Sequence, residues 1–281
     1  MQKITLVIIT LIFLAIFVPI GFSSDSDSVV ITYGETTEEN HDYIDVVNDF
    51  FTNHAHVNVK NTNNKIITAK NVNDLFRGYV NKTYFIDQIY SSVLVDLNGK
   101  NDLNVVVDTS KITKINAKMY ESALKTVGLS YGKVYITSPI EDSGETAISG
   151  VLDSYESVTN IEIPYNVQKV ANLEIYTQAE IVDNSNITSD ELADLVSVVK
   201  SKVIGENITD HTKIVNLIKN YTNESNLNIT NNDVDKLADL LIEIQLVQND
   251  ANKYKNTVSE FMDGKTDSNY SIYNIMNWFN S

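Results

Sequence analysis

The clearest pattern of apolar and polar residues is a strand–helix–strand–helix succession in the middle of the chain. Residues 103–107 and 133–137 are short apolar runs typical of buried strands. Between them, residues 116–127 repeat their apolar side chains at helical spacing, and Gly128 follows where a helix-ending glycine is expected. Residues 147–155 show the same one-faced spacing. This order predicts two parallel strands joined by a right-handed crossover.

The residues before this unit also alternate between strand-like and helix-like patterns. In chain order we expect an edge or opening strand, a helix, a loop or strand pair, a short helix or turn, and a strand that ends at a turn (residues 29–33, 37–51, 58–65, 71–80 and 90–97, the last followed by Asn98-Gly99). These elements would complete a small sheet around the parallel pair.

After about Thr159 the apolar pattern is helical only. Pro164 is placed to begin a long helix that extends through Ile181. The tripeptide Asn-Ile-Thr then occurs three times, and each of its threonines is a predicted helix N-cap: Thr188, Thr209 and Thr230. Glu191, three residues after Thr188, completes a capping box. A last helix is predicted over residues 268–279.

Together these patterns predict an α+β protein. Residues 25–160 would form an α/β-like N-terminal domain with a small mixed sheet, and residues 161–281 a C-terminal all-α helical bundle. The chain is long enough for two modest domains.

Residues 1–24 are predicted to be a signal peptide or an N-terminal membrane anchor. Lys3 precedes a run from Ile4 to Phe22 that is apolar apart from two threonines, and a polar, acidic stretch follows. The run is also long enough to span a bilayer, so both alternatives stay open. In either case the body of the protein would lie outside the cytoplasm, secreted or anchored to the cell membrane.

Composition narrows the classes of partner. The formal net charge is −16, which disfavours nucleic acid and anionic membrane surfaces. We expect a cell-envelope component or an extracellular protein as partner, and membrane contact only through the segment from Ile4 to Phe22 if it is uncleaved. The chain contains no cysteine, which excludes disulfides and thiolate chemistry. No cofactor is predicted.

The candidate ligand-binding residues lie in the two loops that follow the paired strands. If the strands are parallel, both loops lie at their C-terminal ends, where open α/β sheets place ligands. The candidates are Thr109, Ser110, Ser138, Glu141, Asp142 and Ser143. A purely structural alternative is a capping box, with Asp142 as the helix N-cap and Glu145 three residues later.

Two weaker sets of candidates lie elsewhere. His54 and His56 would share one side of a strand, a spacing known from metal sites, although nothing fixes a third ligand. Asn81, Asn220 and Asn223 lie in sequons that an extracytoplasmic protein could have glycosylated. The sequence shows no recognisable combination of a nucleophile with a general base, so the catalytic residues are unknown.

The segment MYESALKTVGLSYGKVYITSPIEDSGETAISGVLDSYE, residues 119–156, resembles the family of secreted proteins named domain of unknown function one thousand and two. Four shorter segments resemble the same family: TYG, NDLFRG, IYSSVLVDL and VVVDTSKIT. The acidic pair before Ser143 and the extra acid after Gly144 depart from the family pattern. The resemblance implies an exported protein with no assigned activity.

The sequence therefore predicts an exported, cell-envelope-associated protein of unknown activity, with a binding or structural role favoured over an enzymatic one. The first alternative is a hydrolase of a cell-surface polymer, with Glu141 or Asp142 as acid or base. The second is a divalent-cation-binding surface protein that uses the acidic loop or the two histidines.

Overall fold

A five-stranded mixed sheet forms the N-terminal part of the protein. The computed structural model describes residues 28–77, 82–98 and 101–264. Its strands are β1 Val29–Gly34, β2 Asn63–Ile67, β3 Ser92–Asp96, β4 Asn104–Val107 and β5 Lys133–Thr137, in the spatial order β2-β1-β3-β5-β4. β1 and β3 pair antiparallel, as do β3 and β5, whereas β1–β2 and β4–β5 are parallel. The predicted parallel pair is confirmed.

The sheet order corrects two expectations. β1 is the opening strand, one of the two predicted alternatives, but it is not an edge strand, because β2 pairs with it on one side and β3 on the other. β2 comes from the Asn-rich stretch, which forms a 3₁₀ turn (Val59–Asn61) followed by a single strand rather than a loop or strand pair. β3 and β4 are consecutive in the chain, but they are not neighbours because β5 lies between them.

Helices cover both faces of the sheet. The N-terminal part contains α1 Glu35–Glu38, α2 His41–Ala55, α3 Ala69–Phe76, α4 Ala117–Val127 and α5 Ala147–Thr159. On one face, Val47 and Phe51 of α2 pack against Ile31 and Leu94. On the other face, α5 crosses β1 and β3 closely. A Cβ at Gly150 would lie 3.4 Å from side-chain atoms of Thr32 and Val93.

The C-terminal part is helical, as predicted: α6 Tyr165–Asn184, α7 Ser189–Gly205, α8 His211–Glu224 and α9 Asn231–Met262. Thr188 and Thr230 are N-caps, and the Thr188–Glu191 capping box is present. Thr209 is not a cap, because α8 begins later and Asp210 accepts the Lys213 N–H at 2.9 Å instead. The predicted helix over residues 268–279 lies outside the described residues.

One hydrophobic core connects the two parts. It runs from Val93 and Val134 on the sheet, through α4 and α5, to Val258 in α9. The core therefore crosses the boundary predicted at residue 160, and the division into two domains stays a prediction. Within the described ranges, no helix has the length and apolar character needed to cross a membrane; the run from Ile4 to Phe22 lies outside them.

A buried ion pair joins three helices at the centre of this core. Glu174 of α6 is fully buried, and the Lys200 ammonium of α7 lies 2.8 and 3.0 Å from its two carboxylate oxygens. Ser122 and Thr126 of α4 each donate a hydrogen bond of 2.6 Å to the same carboxylate. Lys200 also donates to the carbonyl and hydroxyl oxygens of Ser122, at 2.8 and 2.9 Å.

We expect Lys200→Met to destabilise the protein by about 3 to 5 kcal/mol, because it leaves a buried carboxylate without a cation. Urea unfolding measures the change. Adding Glu174→Met should recover most of the loss, since no buried charge then remains. Lys118→Met is the matched control, because the pair that Lys118 forms with Asp194 is exposed and should contribute little. Equal effects of the two single variants would contradict this assignment.

Candidate functional site

Backbone hydrogen bonds hold the two predicted loops together at the C-terminal ends of β4 and β5. The Asp142 N–H donates to the Lys111 carbonyl at 2.9 Å, and the Thr113 N–H donates to the Asp142 carbonyl at 2.9 Å. A third bond, of 3.3 Å, runs from the Ile115 N–H to the Ser143 carbonyl. The two loops therefore lie side by side at the C-terminal ends of the parallel strands, as predicted.

Hydrogen bonds to the Asp108 carboxylate hold the first loop in place. One of its carboxylate oxygens accepts the N–H and the hydroxyl of Ser110, at 3.1 and 2.6 Å, and the other accepts the Thr137 hydroxyl at 2.8 Å. Thr109 and Ser110 themselves are exposed. The first loop thus presents two short polar residues on a turn that a neighbouring carboxylate holds in place.

The four candidates in the second loop lie at different depths. Glu141 is exposed, and Asp142 and Ser143 are partly buried. Ser138 is fully buried, and its hydroxyl has no hydrogen-bond partner among the described residues. Five candidates on the two paired loops are therefore at least partly accessible, and we call them together the loop face: Thr109, Ser110, Glu141, Asp142 and Ser143. Ser138, which is buried, is not among them.

The predicted capping box is absent. Helix α5 begins at Ala147, its N-cap position is Thr146, and no side chain caps it. Asp142 cannot serve, because its backbone is paired with the first loop and its carboxylate accepts the Ser91 hydroxyl at 2.5 Å. Gly144 turns the chain with a φ of +94° before the helix starts. Asp142 and Glu145 therefore have partners outside this helix.

Glu145 is the residue whose role the sequence did not indicate. Its side chain is almost fully buried, accepts the Tyr84 hydroxyl at 2.7 Å and forms an ion pair with Lys82. The Lys82 ammonium lies 4.5 Å from the centre of the Tyr84 ring and 5.7 Å from that of Tyr176. These partners are far from Glu145 in the chain, so no local pattern could have found them.

The two carboxyls of this loop have opposite pKa shifts. Burial raises the pKa of Asp142, and the charge of Glu145 adds to the effect; hydrogen bonds from Ser91 and from the backbone oppose it. Burial alone would also raise the pKa of Glu145, but hydrogen bonds from Lys82, Ser143 and Tyr84, with the charge of Lys82, hold that pKa below its ordinary value. These contacts thus favour the ionised form of Glu145.

The two histidines do not form a strand. His54 lies in the last turn of α2, where its Nδ1 is 2.9 Å from the Phe50 carbonyl and its ring stacks on Phe50 at 4.2 Å. His56 ends the helix in the left-handed region, with a φ of 57°. The geometry that motivated a metal site is therefore wrong. Within the described ranges, no group of three or more His, Cys, Asp or Glu side chains could hold a metal ion.

The remaining candidate residues are the asparagines of the predicted glycosylation sequons. Asn220 and Asn223 are exposed on α8, so their glycosylation stays a prediction, and Asn81 lies outside the described residues.

A cleft of about 330 Å³ lies between α2 and β2, and another of about 210 Å³ lies beside the start of α6. Both are away from the loop face.

Comparison with known proteins places the chain in a family. A family model described as "Protein of unknown function (DUF1002)" matches residues 33–261, and the chain belongs to this family. The resemblance found in the sequence is confirmed. The chain is 25% identical, over 221 residues, to the uncharacterized protein YpuA of Bacillus subtilis (strain 168), which covers 76% of this chain and 75% of that relative. No solved structure matches the chain.

We expect Asp142→Asn to raise the melting temperature at neutral pH. The pKa of Asp142 is raised in the folded state above the ordinary value of 3.8, so its contribution to stability is fully present below that value and is lost as the pH rises through the folded-state pKa. The neutral amide avoids this loss. Thermal unfolding at neutral pH and at about pH 3 measures the difference, which should vanish at the lower pH.

Glu141→Gln is the matched control for this prediction. It removes the same formal charge from the adjacent, exposed position and therefore corrects for the general effect of reducing a net charge of −16. A lower melting temperature for Asp142→Asn than for Glu141→Gln at neutral pH would show that the hydrogen bonds to the carboxylate outweigh the effect of burial.

Proposed function

We propose that the protein is exported and acts outside the cytoplasm, secreted or anchored to the cell membrane, as a binding module of the cell envelope. The sequence supports export, because Lys3 precedes the apolar run from Ile4 to Phe22 and a polar, acidic stretch follows it. The loop face supports the binding role.

The observation that carries the binding role is the rigid pairing of two exposed polar loops. Three backbone hydrogen bonds join residues 111–115 to Asp142 and Ser143, and Asp108 fixes the turn that presents Thr109 and Ser110. A surface that is ordered before its ligand arrives loses little conformational entropy on binding. Loops held on a sheet in this way are where proteins most often place binding residues.

The charge of the surface favours a basic or neutral partner. Glu141 and Asp142 lie on the loop face of a chain whose acidic residues outnumber its basic residues by 37 to 21. Phosphate-rich polymers would be repelled, whereas ammonium groups and uncharged hydroxyl-rich polymers would not. A cell-envelope component or an extracellular protein that carries amino groups fits this surface.

A hydrolase of a cell-surface polymer is the second candidate function, and one observation favours it. The raised pKa of Asp142 is a property that general acids share. The other carboxyl of the loop, Glu145, is engaged by Lys82 and Tyr84. Since a glycoside hydrolase of the usual kind needs two available carboxyls, we place the binding role first.

Export predicts a specific distribution in the cell. In a bacterial host, the full-length protein should be recovered from the membrane or the medium, and a protease added to intact cells should digest it. A variant that lacks residues 4–22 should stay in the cytoplasm and be protected from the protease. Immunoblots of the fractions measure both. Recovery of both proteins from the cytoplasm would refute export.

Binding through the loop face predicts a charge-dependent affinity for amino-bearing wall material. We expect soluble cell-wall fragments to bind the full chain, and Glu141→Lys to weaken this binding roughly five- to tenfold, since it reverses one exposed charge. Titration calorimetry measures the affinity. Glu224→Lys makes the same charge change on the exposed surface of α8 and should have no effect.

Three results would contradict this binding proposal: no binding by the wild type, equal loss in both variants, or no loss in Glu141→Lys. If the wild type instead releases new soluble products from insoluble wall, and Asp142→Asn does not, the hydrolase is the better account.

A further inference from the structure

Lys82 occupies a pocket whose walls have the chemistry of an ammonium-binding site. The pocket consists of the buried Glu145 carboxylate and the rings of Tyr84 and Tyr176, and the Lys82 ammonium is within cation–π distance of both rings. A carboxylate combined with aromatic faces is the arrangement by which proteins recognise organic cations in solution. Here the cation comes from the chain itself.

The walls of the pocket are held by contacts that do not involve Lys82. The backbone of Tyr84 exchanges two hydrogen bonds of 2.8 Å with the side chain of Asn73. Phe76 packs against both tyrosine rings, with centroid distances of 5.9 and 5.5 Å. The Tyr84 hydroxyl donates to Glu145 at 2.7 Å and orients its carboxylate. The pocket should therefore persist when Lys82 is removed.

Glu145 is also positioned from the side of the protein core. The hydroxyl of the fully buried Tyr120 donates a hydrogen bond of 2.5 Å to the Gly144 carbonyl, immediately before Glu145. A side chain at Gly144 would overlap that hydroxyl, because a Cβ there would lie 2.7 Å from it. The backbone that carries Glu145 is thus fixed by the fold independently of Lys82.

Lys82 itself is held much less firmly than the pocket. Its side chain is 40% exposed, whereas that of Lys200, in the other buried lysine–carboxylate pair, is 10% exposed. Lys200 donates to four oxygen atoms, whereas among the described residues the hydrogen-bond acceptor of Lys82 is a single oxygen of Glu145. The Lys82 side chain is therefore open to solvent along part of its length, so a dissolved cation could replace it in the pocket.

The local charge favours such a replacement. Asp142 lies close enough to Glu145 for the two carboxyls to repel each other, and Lys82 forms its ion pair with Glu145. Two carboxyls beside one partly exposed lysine keep an attraction for positive groups in solution.

We propose that the pocket of Glu145, Tyr84 and Tyr176 binds a primary alkylammonium group of an external ligand, and that Lys82 fills this pocket in the free protein as an internal competitor. The inference rests on the proposed binding function and deepens it, because Glu145 follows Asp142 and Ser143 of the loop face in the same loop. The chemical class is an aliphatic amine, such as a free lysine-like side chain of a wall peptide or a protein.

The test truncates Lys82 to alanine and then adds, as a free compound, the atoms that the substitution removes. Lys82→Ala removes three carbons and the ammonium nitrogen, which together correspond to n-propylammonium. We expect n-propylammonium to stabilise Lys82→Ala saturably against heat, with a Kd on the order of millimolar for so small a ligand. In the wild type the same compound should bind at least roughly tenfold more weakly, because Lys82 competes for the pocket.

Four controls separate this site from a general salt effect. 1-Propanol at equal concentration, in matched sodium chloride, should have no effect, since it lacks the charge. Lys65→Ala breaks the Lys65–Asp153 pair, whose aspartate side chain is 31% exposed whereas that of Glu145 is 4% exposed, and n-propylammonium should not stabilise this variant saturably. Adding Glu145→Gln to Lys82→Ala should abolish binding, because it removes the carboxylate. Tetramethylammonium in place of n-propylammonium tests a quaternary ammonium, which has no N–H to donate to Glu145 and should bind more weakly.

If Lys82→Ala does not fold, n-propylammonium and not 1-propanol should restore its circular dichroism spectrum. A folded Lys82→Ala that is indifferent to n-propylammonium, or a Lys65→Ala that responds equally, overturns the inference. The binding proposal for the loop face and the proposal for the ammonium pocket can be refuted independently. Glu141→Lys tests the loop face with wall fragments, whereas the Glu145-dependent response to n-propylammonium tests the pocket alone.

Discussion

The burial of carboxylates in a chain with few cations is the constraint on which this structure depends. Acidic residues outnumber basic ones by 37 to 21, and Glu174 lies at the centre of the core with no exposure. A buried anion of this kind is tolerated only when a cation or hydrogen-bond donors compensate its charge. Lys200, Ser122 and Thr126 provide them, so α4, α6 and α7 must meet at this point.

Other buried acids are accommodated without a lysine. Asp233, which is fully buried, accepts the hydroxyls of Ser185 and Thr230 at 2.7 and 2.8 Å, and Asp142 accepts the hydroxyl of Ser91. Hydroxyl donors therefore take the place of scarce cations at both positions. The Lys82–Glu145 pair is different, because the carboxylate is buried while its lysine is largely accessible. That asymmetry marks an ion pair whose cation can be exchanged without exposing the core.

Apart from the parallel pairing of β4 with β5, the features of the fold that the sequence predicted correctly are local ones. The one-faced spacing of α4 and α5, the apolar runs of β4 and β5, and the caps at Thr188 and Thr230 each depend on residues within a few positions of one another. The order of the sheet depends on contacts between distant segments, and for this reason the interior position of β1 was missed. The ion pair of Glu145 with Lys82 was missed for the same reason, since 63 positions separate the two residues. The pair His54 and His56 was misassigned because its spacing fits a strand, whereas the apolar face of α2 extends the helix to that point.

The start of helix α5 indicates that the loop before it does more than connect β5 to the helix. Side-chain capping typically stabilises a helix by about 1 kcal/mol, and Asp142, Ser143 and Thr146 are all residue types that cap well. Yet α5 begins without a side-chain cap, and the buried hydroxyl of Thr146 has no partner among the described residues. The nearby acids are engaged elsewhere: Asp142 with Ser91 and the first loop, Glu145 with Lys82 and Tyr84. A loop whose only role was to start a helix would use these groups as caps. Their placement instead keeps one carboxylate at the edge of an exposed surface and the other in a pocket built from aromatic rings, which is the arrangement expected if the loop binds a cationic group.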